Sequence, residues 1–427
     1  MSVPDGDLEV AERWERKRWS GFRENLAKIA GSNPFQKTHC TSLVSWDQWD
    51  GFSDLVQNCP FTSKSDLALD RKENPPYGTN LTFPISEYKK FSQTSGTLGK
   101  PMSWLDTPED WQWMLGNWNY VLEEVGIESG SRCSFAFSFG PFLGFWTAYE
   151  AVQQKDGMCI PTGGQSTEQR LQGILEHGAE YLFCTPTYAM RLTHAAQELG
   201  VDITQHQLRS MIVAGETGGS SSSFREKISS AWGNDLKVHD HYGMTEVGPV
   251  AYEIPGNRGG LRIILESYFP EVIGLETGEA VKDGEQGELV LTTLGRVGCP
   301  VLRYRTGDLV KVKRGKDETG LPTFDLEGGI LGRTDDMVVV RGVNLYPSSV
   351  DSVISSFPEI LEYQVRFEEY DSMLEAKVRI ESSAPIAEDL EQALQESFSL
   401  RIPVTSEKEG TLPRHEMKAR RWIKPGS

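Results

Sequence analysis

Residues 93 to 102, with the sequence QTSGTLGKPM, combine small, hydroxyl-bearing and cationic side chains in one short stretch. The N–H groups of such a turn and a lysine ammonium group are suited to holding a phosphate or another anion. The stretch is not the P-loop of ATPases, because that motif has four residues between its glycines and a Ser or Thr after its lysine. Here two residues separate Gly96 from Gly99, and Pro101 follows Lys100. The pattern predicts an anion-binding loop of another type, with a polar surface turn as the alternative.

A second polar cluster, HDHYGMTEVG, follows a predicted strand. The ring of Tyr242, the hydroxyl of Thr245 and the carboxylates of Asp240 and Glu246 are suited to stacking on a purine, binding a phosphoryl oxygen and holding magnesium. The motif VAGE leaves the preceding predicted strand and ends at Glu216. Because ligands of doubly wound sheets bind beyond the carboxyl ends of the strands, we expect both segments at one site. An ordinary polar loop is the alternative.

Two further segments carry charges suited to a phosphorylated ligand. In RYRTGDLV, Asp308 follows a turn glycine, where its carboxylate can accept hydrogen bonds from both hydroxyl groups of a ribose. In GTLPRHEMKARRW, basic residues cluster near the C-terminus: Arg414, His415, Lys418, Arg420 and Arg421. Taken singly, the first segment is also compatible with a common turn and the second with a solvated charged tail.

The composition limits the classes of partner. Among 427 residues, 43 are Lys or Arg and 61 are Asp or Glu, which gives a net charge of −18. This balance argues against nucleic acid or an anionic membrane as the main partner, since both require clustered positive charge. The sequence has no signal-peptide pattern and no run of 18 apolar residues. Its six cysteines form no C-x-x-C pair, so we expect free thiols and a cytoplasmic protein.

Helical and strand patterns alternate through the middle of the chain. A helix is predicted from Pro108 to Val125, with Thr107 as its N-cap and Gly126 at its end. A strand is then predicted over RCSFAFSFG, with its phenylalanines on one side. Further strands and helices alternate up to Gly243, which predicts β-α-β units and a largely parallel sheet.

The last third of the sequence changes to short strands and turns and ends in an α-β-β-α pattern. The predicted fold class is α/β. A large N-terminal domain, residues 1–332, has mostly parallel sheets flanked by helices and a β-rich subdomain. A small, mobile α+β domain, residues 333–427, follows it.

Six motifs in this order resemble those of the adenylate-forming enzymes, most closely the phenylacetate–coenzyme A ligase branch. They are TSGTLGKP, VAGE, HYGMTE, RYRTGDL, GRTDDMVVVRGVNLYPSSVDSVI and LPRHEMKARR. CPFTSKSDL and TPTYAMRL also resemble segments of that branch. The match extends from about Cys59 to Lys424.

The resemblance implies an AMP-forming acid–thiol ligase that uses ATP, Mg²⁺ and coenzyme A. Such an enzyme first joins a carboxylic acid to ATP, which gives an acyl-adenylate and pyrophosphate. It then transfers the acyl group to coenzyme A and releases AMP. The implied catalytic residues are Lys418 and Thr245, which contact the reacting groups, and Glu246, which holds magnesium.

The resemblance also implies a rotation of the small domain about a hinge at Asp335 between the two half-reactions. Lys418 then leaves the site, and Arg341, Gly342 and Asn344 take its place beside the path of the thiol. We expect the same replacement of Lys418 by Arg341, Gly342 and Asn344 in this protein.

Further site residues follow from the resemblance. The implied ATP- or AMP-binding residues are Thr94, Ser95, Gly96, Thr97, Gly99, Lys100, Gly215, Glu216, Asp240, His241, Tyr242, Gly243, Met244, Asp308 and Arg333. The implied acyl pocket is formed by Phe139, Phe142, Trp146 and Gly215, and its aromatic rings favour an aromatic acid.

The sequence departs from the family pattern at several positions. Leu98 replaces a Thr of the phosphate loop, and Met417 replaces the Gly before the catalytic lysine. The positions at which many members of the branch bind a structural zinc hold Ile254, Arg262, Gly329 and Leu331, so we predict no zinc site.

The sequence leaves the acid, the pathway and the oligomeric state open, although a homodimer is compatible with the branch. Two other functions also remain. One is delivery of the acyl group to a carrier protein or partner enzyme instead of free coenzyme A. The other is a catalytically silent relative that binds a nucleotide or acyl ligand.

Overall fold

The alternating strands and helices build a large sheet that changes from parallel to antiparallel pairing along its width. The computed structural model describes residues 5–94, 101–233, 235–257, 259–341, 343–370, 373–413 and 421–423. The α-helices are α1 Asp5–Ser32, α2 Pro34–His39, α3 Phe52–Asn58, α4 Lys64–Glu73, α5 Pro108–Val125, α6 Leu143–Gln154, α7 Thr167–Glu176, α8 Pro186–Leu199, α9 Ser222–Trp232, α10 Pro347–Ser355 and α11 Ala387–Phe398.

The strands are β1 Lys90–Gln93, β2 Ser103–Asp106, β3 Arg132–Phe135, β4 Met158–Pro161, β5 Tyr181–Cys184, β6 Ser210–Val213, β7 Lys237–Met244, β8 Gly248–Glu253, β9 Gly260–Ile263, β10 Tyr268–Ile273, β11 Gln286–Thr293, β12 Tyr304–Lys316, β13 Pro322–Glu327, β14 Gly332–Arg333, β15 Val338–Val340, β16 Val343–Leu345, β17 Ile360–Tyr370, β18 Met373–Ser382, β19 Val404–Glu407 and β20 Trp422–Ile423.

Strand β7 lies where the two halves of the large sheet meet. On one side, the order β4-β3-β5-β6-β7 is parallel throughout. On the other side, the order β7-β8-β9-β13-β12-β11-β10 is antiparallel, and β14 pairs with β12. The predicted α/β class, with a parallel part and a β-rich part, is confirmed.

Helix α5 begins and ends at the predicted residues. The Thr107 side chain accepts a hydrogen bond from the N–H of Asp110, and the Asp110 carboxylate accepts one from the N–H of Thr107, which forms a capping box. Gly126 ends the helix in the left-handed region, at φ +82°. The buried face carries the predicted apolar stripe of Trp111, Met114, Leu115, Trp118, Val121, Leu122 and Val125.

The strand predicted over RCSFAFSFG is shorter than its pattern suggests. Strand β3 ends at Phe135, and the following residues leave the sheet. Phe139 has φ +51°, a left-handed conformation that a strand residue does not adopt. The alternating phenylalanines therefore form an aromatic loop at the carboxyl end of β3, and the prediction that Phe139 belongs to a strand was wrong.

The C-terminal part has its own small sheet and core. Its strands pair in the order β19-β18-β17-β20, with α10 and α11 packed on the sheet. The predicted α-β-β-α pattern is thus present in α10, β17, β18 and α11. The predicted boundary after residue 332 falls inside β14, which pairs with the large sheet, and the small core begins at Val338.

The N-terminal segment packs on the antiparallel part of the large sheet. Phe52 stacks on Phe269 with a ring-centroid separation of 4.5 Å. A disulfide joins Cys40 and Cys59, so the prediction of free thiols was wrong for this pair. Both cysteines lie in one buried cluster, and their Cα atoms are 5.3 Å apart, a separation within the disulfide range that sequence spacing does not reveal. Among the described residues, every helix is too short or too polar to span a bilayer.

Candidate active site

Asp308 on β12, Tyr242 on β7 and Arg333 on β14 form one hydrogen-bonded group. Tyr242 Oη donates to Asp308 Oδ2 at 2.6 Å, and Arg333 Nη1 donates to Asp308 Oδ1 at 3.1 Å. The pairing of β14 with β12 places Arg333 directly opposite Asp308. Three residues that the sequence assigned to a nucleotide, from three distant segments, are therefore in direct contact.

Gly307 makes this approach possible. Its φ is +74°, and a Cβ atom at this position would lie 2.8 Å from Arg333 Nη2. A larger residue would displace the guanidinium group from Asp308 as well as strain the backbone.

The protonation of this group follows from its burial. Burial raises the pKa of Asp308 to about 6, although Arg333 and the Tyr242 hydroxyl oppose the shift. Burial, together with the Asp308 carboxylate, raises the pKa of Tyr242 well above its ordinary value, so its hydroxyl remains a donor. A carboxylate offers about four lone-pair positions, so Asp308 retains the capacity to accept further hydrogen bonds.

Glu246 lies on the turn that follows β7 and is 3% exposed. Its Oε1 atom is 3.3 Å from Nζ of Lys64, the first residue of α4. The segment before Lys64 is fixed to β12, because Thr62 N donates to the carbonyl of Arg303 and Arg305 N donates to the carbonyl of Thr62. Lys64 belongs to the segment CPFTSKSDL, and no function was predicted for it from the sequence. The lysine directly after a helix-cap serine in that motif was the available signal.

Glu246, Lys64 and Arg333 line a cleft of about 230 Å³. Its lining residues are Ser63, Lys64, Ser65, Met244, Glu246, Glu288, Tyr304, Arg305, Thr306, Gly307, Arg333, Thr334 and Asp335. Three cations (Lys64, Arg305 and Arg333) and carboxylates share this wall. Arg333 Nε also donates to Asp335 Oδ1 at 3.0 Å, so the predicted hinge residue contacts the predicted nucleotide site. The cleft has the charges to hold a phosphorylated ligand together with a cation.

The two residues before Tyr242 have different surroundings. Asp240 accepts hydrogen bonds from Ser220 Oγ and, through its own N–H, donates to Glu253 at 2.8 Å. Burial raises the pKa of the Asp240 carboxyl to about 6. His241 Nδ1 contacts the carbonyl of Ala251 at 2.8 Å, and burial lowers its pKa to about 4, so the ring is neutral near pH 7 and donates from Nδ1.

Gly215 and Glu216 lie beyond the carboxyl end of β6, as predicted for a ligand edge. Glu216 Oε1 accepts a hydrogen bond from the N–H of Thr187 at 2.6 Å, in the first turn of α8. Gly215 has φ +90°, and a Cβ atom at this position would lie 3.8 Å from the side chain of Thr185. This segment thus lies beside the N-terminus of α8.

An aromatic cluster extends from the parallel sheet to the surface. Phe135 stacks on Phe183 at 4.6 Å, and Phe139 makes edge contacts with Trp146 at 5.1 Å and Tyr149 at 5.5 Å. Phe142 contacts Phe145 at 5.8 Å. Two predicted pocket residues, Phe139 and Trp146, therefore touch each other.

Trp118 lies between this aromatic cluster and the residues predicted to bind the nucleotide. Its ring lies 6.3 Å from that of Phe183 and 4.3 Å from that of His241. His241 is adjacent to Tyr242 on β7, and Tyr242 belongs to one core cluster, whereas His241 packs on Trp118 of another. Strand β7 thus separates an aromatic region from the Asp308 group.

Thr94, Arg341 and Asn344 are predicted site residues on other segments of the chain. Thr94 closes the base of the predicted phosphate loop, because its N–H donates to the carbonyl of Met102 and its Oγ1 accepts from the N–H of Met102, both at 3.0 Å. Arg341 pairs with Glu375, and Asn344 belongs to β16. The other predicted residues here lie outside the described ranges: Ser95, Gly96, Thr97, Gly99, Lys100, Gly342 and Lys418.

Two family models match the chain. The model described as AMP-binding enzyme matches residues 94–295, and the model described as AMP-binding enzyme C-terminal domain matches residues 342–424. The first range contains the predicted phosphate loop and β7, and the second contains Lys418.

Curated relatives and solved structures agree with this match. The chain is 31% identical to a phenylacetate-coenzyme A ligase of Thermus thermophilus over 80% of this chain and 75% of that protein. It is 30% identical to the phenylacetate-coenzyme A ligase of Aromatoleum evansii over 91% and 87% of the two chains. A crystal structure of 2-hydroxyisobutyryl-CoA ligase in the postadenylation state with 2-HIB-AMP has the same fold, with a TM-score of 0.89 at 22% identity over 97% of this chain and 90% of that one.

The two relatives cover most of both chains at 30–31% identity, and the two family models match residues 94–295 and 342–424. The resemblance stated from the motifs is therefore confirmed at the level of the family. The chain belongs to the phenylacetate-coenzyme A ligase branch of the AMP-binding enzymes and is an AMP-forming ligase that joins a small carboxylic acid to coenzyme A through an acyl-adenylate.

Proposed function

We propose that this ligase activates an aromatic carboxylic acid, bound against the exposed part of the aromatic cluster at the edge of the sheet where β3 and β7 end. The observation that carries the proposal is the position of two neighbouring residues. His241 packs on Trp118 at 4.3 Å, and Tyr242 donates to Asp308 at 2.6 Å. His241 and Tyr242 are adjacent on β7, so an acid on the exposed rings and a nucleotide at Asp308 would meet beyond the carboxyl ends of the strands.

The aromatic loop supplies the apolar surface for the acid. Phe139 and Trp146 meet edge to face, and Trp146 remains 41% exposed while its indole N–H donates to the carbonyl of Gly140 at 3.1 Å. A substrate ring can replace the water on these faces, and aromatic pairs of this kind stabilise a complex by about 0.5–1.5 kcal/mol beyond the buried area. Phe142 forms the adjacent wall.

The nucleotide has a matching set of groups. Asp308 accepts the ribose hydroxyls, Arg333 holds Asp308 and reaches the ribose or a phosphate, and Tyr242 supports the adenine with Asp240 near its amino group. The support is the contact between Tyr242, Asp308 and Arg333 and the burial of Asp240 one residue from His241. Glu216, which accepts a hydrogen bond from the first turn of α8, is the last member of this set and lies at the same edge of the sheet.

Adenylation brings a carboxylate oxygen to the α-phosphorus while pyrophosphate leaves, so like charges must approach each other. Thr245 donates to the α-phosphate, and Lys64 adds a cation beside Glu246. The Glu246 carboxylate fits Mg²⁺, since this ion commonly takes one or two protein carboxylates together with substrate phosphates. When bound, the ion neutralises phosphate charge.

The loop around residues 95–100 holds the β- and γ-phosphates, and Lys418 neutralises the attacking carboxylate. In the second half-reaction, the small domain turns about Asp335, and the face of Arg341, Gly342 and Asn344 replaces Lys418. The thiol sulfur then forms a bond to the acyl carbon as the bond to AMP breaks. These assignments rest on the resemblance of the motifs at these positions to those of the family, whose models match residues 94–295 and 342–424.

Mass spectrometry of the purified protein with ATP, Mg²⁺, coenzyme A and a panel of acids tests the proposal. The panel should include phenylacetate, benzoates and 2-hydroxyisobutyrate, since a structural relative is named for the last acid. The expected products are an aryl-coenzyme A and AMP. Preference for 2-hydroxyisobutyrate would overturn the aromatic assignment. Acyl-adenylate without thioester would indicate a carrier protein or partner enzyme as acceptor, and no product with any acid would favour a silent relative.

A further inference from the structure

Arg296 is fully buried behind the proposed phosphate site, and its guanidinium group contacts two parts of the chain at once. Its Nη1 atom donates to the main-chain carbonyls of Thr245 at 2.8 Å and Glu246 at 2.9 Å. Its Nε atom donates to Asp106 Oδ1 at 2.7 Å, and both side chains of the pair have 0% exposure. Neither Arg296 nor Asp106 was identified from the sequence.

The other side of this contact is the hairpin formed by β1 and β2, which leads into the predicted phosphate loop. Asp106 is the last residue of β2, opposite Lys90 of β1. The ring of Trp104, also on β2 and fully buried, lies 4.9 Å from the Arg296 guanidinium and 4.8 Å from that of Arg71. The hairpin is therefore held to Arg296 by an ion pair and by a cation–π contact.

The next turn of the chain extends the same connection. Asp110, in the first turn of α5, accepts hydrogen bonds from the N–H groups of Val297 and Gly298 at 2.7 and 3.1 Å. The loop that carries Arg296 is thereby fixed to the segment that follows the hairpin. A shift of Arg296 would therefore also move the β1–β2 hairpin and the start of α5.

We propose that Arg296 is a positioning residue for adenylation, which holds the Thr245–Glu246 turn at a fixed distance from the β1–β2 hairpin. The two elements proposed to bind the phosphates come from distant segments, and Arg296 joins the backbone of one to a buried carboxylate of the other. This inference rests on the proposed roles of Thr245 and Glu246.

A purely stabilising role explains these contacts less well. Desolvation offsets most of the attraction in a buried ion pair, so apolar residues of similar volume commonly serve stability equally well. A planar guanidinium group, in contrast, fixes the direction of each bond that it donates, which an ammonium group does not. The two carbonyls that it holds belong to the two residues proposed to contact the α-phosphate and the metal.

The test compares the half-reactions in Arg296→Lys, which keeps the charge and removes the fork. Adenylation is followed by ATP–pyrophosphate exchange, and thioester formation is followed from purified acyl-adenylate and coenzyme A. The acid is one that the wild-type enzyme converts. We expect the adenylation kcat to fall by about tenfold or more, since small misplacements of reacting groups are costly, while the thioester rate stays within about twofold.

Three further variants complete the design. Asp106→Asn, which keeps the side-chain shape, gives the same comparison if Arg296→Lys does not fold. Arg262→Lys is the matched control, because Arg262 forms a bidentate pair with Asp325 at 2.8 and 2.9 Å elsewhere in the sheet. Glu246→Gln is the reference for a direct loss at the site. The melting temperature of each variant separates misfolding from misplacement.

The outcomes are distinct. Selective loss of adenylation in both Arg296→Lys and Glu246→Gln, with Arg262→Lys unaffected, supports the inference. Selective loss in Glu246→Gln alone overturns it and leaves the proposed site intact. If neither variant loses adenylation selectively, both the site assignment and the role of Arg296 are wrong. Equal loss in both half-reactions for Arg296→Lys would overturn the positioning role and assign the residue a structural role.

Discussion

The hydroxyl of Tyr242 donates to the carboxylate of Asp308 at 2.6 Å, and both side chains are buried where β7 and β12 approach each other. This contact couples the residue proposed to support adenine to the residue proposed to hold the ribose. A ligand that displaces one side chain must therefore disturb the other.

Replacement of Tyr242 by Phe keeps the ring and removes the hydrogen bond. The Asp308 carboxylate then loses a buried donor, which typically costs about 1–3 kcal/mol. We expect the KM for ATP to rise by about tenfold, with a smaller change in the KM for the acid, in steady-state assays. Tyr181→Phe, which loses a hydrogen bond to the carbonyl of Gly126 at the end of α5, is the control and should leave both constants unchanged. Equal rises for ATP and acid would contradict a role confined to the nucleotide.

The titration of Asp308 predicts a pH dependence of ATP binding. Burial raises its pKa to about 6, so the carboxylate is ionised above that pH and accepts hydrogen bonds. Below about pH 6 the group takes up a proton and loses acceptor capacity. The KM for ATP should therefore rise as the pH falls through 6. In Asp308→Asn, which does not titrate, the KM should be higher than that of the wild type above pH 6 and should change less with pH. A parallel pH profile in both proteins would assign the dependence to another group.

The sequence predicted most of the elements that local patterns determine. The capping residues of α5 gave both of its ends, and the alternation of strands and helices gave the parallel half of the sheet. Strand β3 was overestimated, because alternating phenylalanines also suit a loop whose rings are buried by neighbours. Contacts between distant segments could not be predicted from local patterns. No local pattern shows that Arg296 will meet Asp106, and a scattered pair such as Cys40 and Cys59 gives no sign of its partner.

Within the site, the motifs located the residues but not their partners. Asp308 and Arg333 were each assigned to the nucleotide separately, whereas the strand register that places them opposite each other is a property of the folded sheet. Lys64 was missed for the same reason, since its value depends on Glu246 in a distant segment. The sequence showed which side chains have suitable chemistry, but it did not show which of them are in contact.

Lys64 provides a direct test of the charge at the phosphate end of the cleft. Its ammonium group is 3.3 Å from Glu246 Oε1 and is 51% exposed, so solvent screens the pair and its loss should change stability by less than about 1 kcal/mol. Removal of the cation should nevertheless slow adenylation, because the pyrophosphate that leaves carries negative charge. We expect Lys64→Met to lower the rate of ATP–pyrophosphate exchange by about tenfold or more. Lys72→Met, at an exposed position on the same helix, is the control. An unchanged exchange rate would show that Lys64 is a surface partner of Glu246 alone.

The aromatic loop predicts how the enzyme discriminates between acids. Phe139 and Trp146 touch edge to face at 5.1 Å, and Trp146 is 41% exposed, so Trp146→Ala removes ring surface without opening a cavity in the core. The value of kcat/KM should fall by about tenfold for aryl acids, since an aromatic contact and its buried area are lost, and by less for aliphatic acids. Trp46→Ala, in the N-terminal segment, should change neither value. The measurement is competition between one aryl and one aliphatic acid with product ratios read by mass spectrometry. If the ratio is the same in wild type and Trp146→Ala, this ring does not contact the acid, and the proposed acyl pocket is wrong at this residue.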